Sequence, residues 1–480
     1  MHQKKFITNL AILICLNLLI KPFWTLVIEP SVQYQVGNAA YGEYFALFNF
    51  SFLLNILLDF GITNFNNKNI AQNNHLLEKH FSGLFLLKLL LGVVYIAVTL
   101  SIGMAVGYST RYLKLLFLLG FNQFLISMIL YLRSNLLGLH AFKTDSIISV
   151  LDRFIMIGIC SIVLWTAYTG LTIDIMNFVY AQTLAYSLAA ILAFISVFRK
   201  TDTFTISWNL PFWIMILKKS FPFAVLVLLM TFYNRLDSVM IERLLPEGEG
   251  AAQAGIYAKG FRLLDAANMI AYLFSIQLLP IFSRMLKFKE DVQNLVKLSF
   301  TLLITPAIIS AAVAWFYQNE LIGLINHGVT DSATIFSMLM TCFIAISTTY
   351  IFGTLLTANG NLKQLNTMAI IGISINLILN LILIPHFKAM GAAYSSLATQ
   401  FFTAAVQVYL TYKIFKFKVN YRLIIILIIF ILGVVAAGFV STKFISNYLV
   451  GIAVMAILSG IWALVTGLIS FKSIMRFMKY

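Results

Sequence analysis

Lys21, Lys88, Arg153, Arg235, Lys259 and Arg262 stand inside long apolar stretches of this 480-residue chain. A cation at the centre of a bilayer costs about 3 kcal/mol or more, so each is a binding-site candidate unless something pairs it. Together they suit an anion that enters or crosses a membrane, with the arginines offering a planar fork to paired oxygens. Asp59, Asp152, Asp237 and Asp265 lie in or near the same stretches. Arg262 and Asp265, three residues apart, can pair along one helix face. Asp237 cannot face Arg235, because two residues turn a helix by about 200°. These acids read as helix-to-helix ion pairs or as carriers of a coupling proton.

No catalytic constellation accompanies them. His2, His75, His80, His140, His327 and His386 are scattered without metal-ligand spacing, and no phosphate-cradling Gly-x-x-x-x-Gly-Lys loop occurs. Cys15, Cys160 and Cys342 fall in separate apolar stretches and read as small core residues. The chain therefore reads as a non-enzyme without cofactor or metal. An H+ or Na+ gradient, the membrane potential or a substrate gradient would drive it.

The elements that position these groups are membrane spans. Hydrophobic residues make up 61% of the chain and charged residues 10%, with a mean hydropathy of +0.92. A soluble domain carries roughly a quarter charged residues. About 20 apolar residues span a bilayer, and fourteen such runs are present: 6–28, 41–60, 81–106, 112–137, 146–168, 173–198, 212–241, 254–282, 293–316, 333–356, 366–385, 390–412, 421–441 and 446–470. The fold class is thus an all-α polytopic membrane protein. The longer gaps, 61–80, 199–211 and 283–292, read as surface or amphipathic segments. The first run is too long for a signal-peptide core and lacks a cleavage site, so it reads as a retained helix.

A net charge of +16 raises the question of nucleic acid. Its distribution points to orientation instead. With both termini in the cytoplasm, only Arg111, Lys114, Arg243, Lys388 and Lys443 fall outside, as the positive-inside rule requires. The partners implied are membrane lipids, with no nucleic acid.

Two halves recur along the chain. Lys4-Lys5 and Lys218-Lys219 open the first and seventh spans, 214 residues apart. Gly42-Glu43-Tyr44 and Gly255-Ile256-Tyr257 open the second and eighth, 213 apart. The segments 137–143 and 356–363 follow the fourth and tenth at an offset near 220. Six-helix repeats of this kind keep one orientation, related by an axis along the membrane normal. The expected organisation is an N-lobe over 1–200, a C-lobe over 201–415, and two further helices over 416–480. Lys21 and Arg235 become equivalent positions that face each other across an interlobe cavity. Lys259 and Arg262 share a face of the eighth span, and Lys88 and Arg153 lie nearer the cytoplasmic side. The bland alternative is that the long side chains snorkel to the interface.

Softer signals complete the reading. Asn376 and Asn380 share a helix face suited to interhelical hydrogen bonds. Pro22, Pro222 and Pro306 should bend their helices. Trp24, Trp165, Trp208, Trp213 and Trp315 read as an aromatic belt.

The run Asn234-Arg235-Leu236-Asp237-Ser238-Val239-Met240-Ile241, followed by Gly255-Ile256-Tyr257-Ala258, resembles a signature of polysaccharide flippases. So do Leu356-Thr357-Ala358-Asn359-Gly360, Asn376-Leu377-Ile378-Leu379-Asn380, Ile384-Pro385 and Gly391-Ala392-Ala393-Tyr394. The chain resembles the repeat-unit (O-antigen, Wzx-type) flippases of the multidrug, oligosaccharidyl-lipid and polysaccharide (MOP) exporter superfamily. That resemblance implies a bacterial inner-membrane protein that turns over undecaprenyl-diphosphate-linked oligosaccharides for O-antigen, capsule or exopolysaccharide synthesis, beside a polysaccharide polymerase. It assigns the diphosphate to Arg235, Arg262, Lys259, Lys21, Arg153 and Lys88. The alternatives are a peptidoglycan lipid-precursor flippase, a drug/cation antiporter of the same superfamily and a membrane glycosyltransferase or polymerase. An antiporter for cations would want an acidic cavity, and such an enzyme a sizeable external loop bearing carboxylates.

Overall fold

Apolar runs too long for strands leave helix as the structure that satisfies every backbone group in lipid. In the computed structural model, every regular element among the described residues is helical. The described residues are 17, 19, 20, 23–63, 66, 70, 76–139, 141–165, 174–201, 208–325, 331–417 and 420–469. Lys21, Pro22 and Cys15 lie outside them, as does the expected pairing of Lys21 with Arg235.

A π-helical turn, Trp24–Ile28, leads into α1 (Glu29–Val36). Then follow α2 (Asn38–Leu53), α3 (Leu76–Ala105), α4 (Thr110–Gly138), α5 (Phe142–Trp165) and α6 (Ile175–Phe198). α7 (Leu210–Leu244), α8 (Glu249–Lys287), α9 (Gln293–Phe316) and α10 (Asp331–Ala358) continue the chain, with a short helix Gln318–Ile325 before α10. The helical stretch Leu362–Phe415 contains one break, Lys388 (φ 54°, ψ −134°). Across it the chain folds back. A Cβ on Gly391 would overlap the Leu383 carbonyl, whereas eight residues of continuous helix would set the two about 12 Å apart. The stretch is therefore a hairpin of α11 (362–387) and α12 (389–415), three residues beyond Pro385. α13 (Tyr421–Phe444) and α14 (Tyr448–Val465) follow. Thirteen of the fourteen spans read from the sequence are thus matched by α2 to α14, whereas the first, 6–28, lies mostly outside the described residues. Helices α1, α2 and α8 are the ones too short or too polar to count as spans on length and hydropathy alone.

Three boundaries differ from expectation. The first helix runs to Val36 before Gly37 (φ 83°) ends it, so Glu29-Pro30 lies within the helix and is not its end. The second does not reach residue 60: α2 stops at Leu53, gives way to a 3-10 turn over Asn55–Leu58, and unwinds through Phe60 (φ 43°) and Gly61 (φ 81°). α8 extends to Lys287, into the segment read as an amphipathic connection. The proline in α9, Pro306, is accommodated within one helix.

Contacts divide the chain into two units: 1–242 with 247–255, and 243–246 with 256–480. α7 thus packs with the first unit, whereas the repeat begins its second half at 201. In the first unit α4 packs on α2, α3, α5 and α6. The repeat leaves a direct mark there. A Cβ on Gly42 of α2 would overlap the Ala251 carbonyl, and one on Gly255 of α8 would overlap the Asn38 carbonyl. Positions 42 and 255 are repeat equivalents, and so are 38 and 251. Contacts that swap in this reciprocal way are what a two-fold axis produces. Gln33 closes the crossing, its amide donating to the Gly255 carbonyl at 2.8 Å. We expect Gly255→Ala to push this crossing apart and to lower the melting temperature of the purified protein by several degrees, with an unchanged value refuting the tight approach.

In the second unit, α10 packs against α9 and the α11–α12 hairpin. α13 and α14, outside the repeat, are anchored on α9. Phe316 sits where a Cβ on Gly438 would be, Tyr317 does the same at Gly451, and the Tyr317 hydroxyl donates to Ser441 Oγ at 2.8 Å.

Candidate functional site

The candidate cations divide by what surrounds them. Lys88 stands twelve residues into α3, about 18 Å along it, since the helix begins before its apolar run. It is 2% exposed. Its ammonium donates to Asp59 Oδ1 at 2.8 Å, the Leu58 carbonyl at 2.7 Å and Ser127 Oγ of α4 at 2.6 Å. An ammonium has three donors, and all are used. The expectation that Lys88 meets a diphosphate is thereby corrected: it neutralises Asp59 and caps the carbonyl freed where α2 breaks. Asp59 also accepts from the Thr63 hydroxyl and amide.

Arg153, on α5, is held within an aromatic cluster. Its guanidinium carbon lies 5.3 Å from the centroid of Trp24 and 5.8 Å from that of Tyr186, a cation–π arrangement on both sides. Asp152 stands 3.7 Å away. Trp24 stacks on Phe178 at 5.9 Å and donates from Nε1 to Glu29 Oε1 at 2.8 Å. It is 3% exposed, so the belt position expected of it is wrong; Trp213 is buried as well. Trp315 (44% exposed) does suit an interface, whereas the side chain of Trp165 lies outside the described residues. Glu29 interacts electrostatically with Arg153, Tyr44 and Tyr186. It is the group that the sequence reading missed, because a Glu-Pro pair at the end of an apolar run looks interfacial. A second missed ion pair, Arg133 with Asp145, clips α4 to α5 through two bonds of 2.7 and 3.2 Å.

Arg235 is half-buried nine residues before the end of α7. Nη1 donates to Asn49 Oδ1 of α2 at 3.3 Å, and the guanidinium lies 5.0 Å over the Phe52 ring. Asp237, two residues on, is 1% exposed.

Lys259 and Arg262 belong to the second unit, ten and thirteen residues into α8. They are 4% and 6% exposed, and their like charges interact. Asp265 lies one turn further along the same helix. Two like charges buried side by side make the site attractive to an anion. Asn376 and Asn380 of α11 are fully buried, Asn380 Nδ2 donating to Asn376 Oδ1 at 3.1 Å. Cys160 and Cys342 are buried free thiols. Among the described residues no cluster of His, Cys, Asp or Glu suits a metal ion.

Against known proteins, the sequence pattern of the family described as "Polysaccharide biosynthesis protein" matches residues 6–286, more than half of the chain. The chain belongs to that family. No curated protein matches it. Its fold is shared with solved transporters. The Lipid II flippase MurJ in an inward closed conformation aligns over 92% of this chain and 97% of its own, with a TM-score of 0.70 at 13% identity. An inward-facing multidrug resistance MATE family transporter of the MOP superfamily aligns over 83% and 97%, with a TM-score of 0.61 at 14% identity. A MOP superfamily transporter from Pyrococcus furiosus, described as having a binding pocket of reverse polarity, aligns over 85% and 95%, with a TM-score of 0.54 at 15% identity. Such identities establish the fold, and family membership establishes the link to polysaccharide synthesis.

Proposed function

We propose that this member of the polysaccharide biosynthesis family is a flippase for oligosaccharides linked to undecaprenyl diphosphate. It would carry them by alternating access from the inner to the outer leaflet of the bacterial inner membrane, for O-antigen, capsule or exopolysaccharide synthesis. The observation that supports this reading is the Lys259–Arg262 pair, two cations buried side by side on one helix. A diphosphate supplies two negative groups and several acceptor oxygens for such a pair. Arg235, with one face on Phe52, and Arg153, with Asp152 beside it, are assigned weaker roles toward the same anion. Lys21 is assigned its share on the repeat alone. Asp237 and Asp265 are the candidates for proton or ion coupling. Both termini are proposed to be cytoplasmic, with the lipid-linked oligosaccharide as substrate and a polymerase as downstream partner.

The fold shared with the Lipid II flippase favours one second reading, a peptidoglycan lipid precursor as the diphosphate cargo. Buried cations argue against a carrier of cationic drugs. Deletion of the gene followed by lipid extraction separates the readings. Accumulation of an oligosaccharide on undecaprenyl diphosphate is the expected result. Accumulation of the peptidoglycan precursor instead would move the assignment to that cargo, and an unchanged lipid pool would remove both.

A further inference from the structure

The turn at which α2 breaks gathers oxygen atoms around a single point. The Lys88 ammonium stands 2.7 Å from the Leu58 carbonyl, 2.8 Å from Asp59 Oδ1 and 2.6 Å from Ser127 Oγ. Each of these oxygens is also held by a contact that does not involve Lys88. The Ser127 hydroxyl donates to the Leu58 carbonyl at 3.2 Å, and the Thr63 hydroxyl and amide both donate to Asp59. The cage is therefore shaped by the turn and by α4, and the lysine reaches into it from α3.

A carboxylate, a main-chain carbonyl and a hydroxyl are the oxygen donors that hard cations take. Carbonyls freed where a membrane helix unwinds hold sodium ions in several transporter folds. A single carboxylate balances a single positive charge, which sets the class of ion as monovalent. Leu58 and Ser127 are buried, whereas the Asp59 side chain is 28% exposed against 1% for that of Lys88. The cage is thus closed on the side of the lysine stem and open beside the carboxylate. Long basic side chains in membrane helices commonly carry their charge out to water; Lys88 carries it inward to this turn.

We propose that the break in α2 is a binding site for one small monovalent cation, filled in this chain by the tethered ammonium of Lys88. Filled in this way, the site takes no ion from solution, and the fold at the break is independent of the sodium or potassium on either side of the membrane. Shortening the tether opens the site to a free cation: potassium, sodium or an alkylammonium. Propylammonium replaces the part of the side chain that Lys88→Ala removes. Lys88→Met keeps the site shut, because its terminal methyl ends about one bond length from the position of the nitrogen.

These two variants separate a cation site from a plain ion pair. Loss of packing alone makes alanine the worse substitution at a buried position. A cage that accepts the potassium of the cell reverses that order, so Lys88→Ala should accumulate in the membrane at several times the folded level of Lys88→Met. A ligand of the folded state raises the melting temperature. Purified Lys88→Ala should accordingly melt several degrees higher in potassium chloride or propylammonium chloride than in choline chloride at equal ionic strength, choline being too bulky for the cage. The wild type, whose cage is full, should show a much smaller difference. Adding Asp59→Asn to the alanine variant keeps the shape, removes the charge and should abolish the shift. A Lys88→Ala variant no better folded than Lys88→Met overturns the proposal. So does a folded Lys88→Ala with one melting temperature in all three salts, or a shift that survives Asp59→Asn. None of these measurements depends on the identity of the transported lipid.

Discussion

Lys259→Ala should lower transport of the lipid-linked oligosaccharide by about tenfold to a hundredfold, the worth of one charge-assisted hydrogen bond to a phosphate oxygen. Its effect on stability should have the opposite sign. Lys259 and Arg262 are buried and repel each other, so removing one relieves strain and leaves the melting temperature unchanged or higher. Transport is read as rescue of polysaccharide synthesis in a deletion strain at native expression, and stability on the purified protein. A generic structural defect would lower both together. Lys259→Arg should retain much of the activity, since charge and hydrogen-bond donors remain, whereas Lys259→Gln should not. Full complementation by the alanine variant would show that the buried pair does not meet the substrate.

The second large effect concerns the Asp59–Lys88 pair. Removing one partner of a buried ion pair leaves an uncompensated charge and costs about 3–5 kcal/mol, whereas replacing both by apolar residues of similar size is often neutral. Lys88→Met also removes the ammonium that donates to the Leu58 carbonyl and the Ser127 hydroxyl, leaving those two only their bond to each other. We therefore expect Lys88→Met and Asp59→Leu each to reduce the folded amount in the membrane severely, and the double variant to recover most of it. Expression followed by gel filtration decides the matter. A double variant as poor as the worse single one would mean that the charges do not act as a pair.

The helices were legible because apolar runs bounded by polar links leave the backbone no other structure. The match at 293–316 holds to the residue, and the hairpin is announced by Pro385 shortly before a lysine. What the sequence concealed was direction and depth. Lys88 looked like an entrance group because its helix was assumed to start where apolarity starts; the helix begins at Leu76 and carries it to mid-length. Nothing local reveals that α2 unwinds at the level where that ammonium arrives. Glu29 was hidden by its neighbour Pro30, which is as acceptable in the first turn of a helix as beyond its end. Trp24 was misplaced for the same reason, because its apparent helix end is mid-helix. The buried lysine–arginine pair was legible from spacing alone.

The reciprocal glycine crossing has a consequence for how this chain tolerates change. In a pair of identical six-helix chains, one codon would govern both halves of such a contact, and any side chain introduced there would collide twice. Here the two positions are written separately, at 42 and at 255. Each can therefore drift alone, and a collision at one leaves the other approach intact. Writing the contact at two positions turns an all-or-nothing constraint into two half-sized ones.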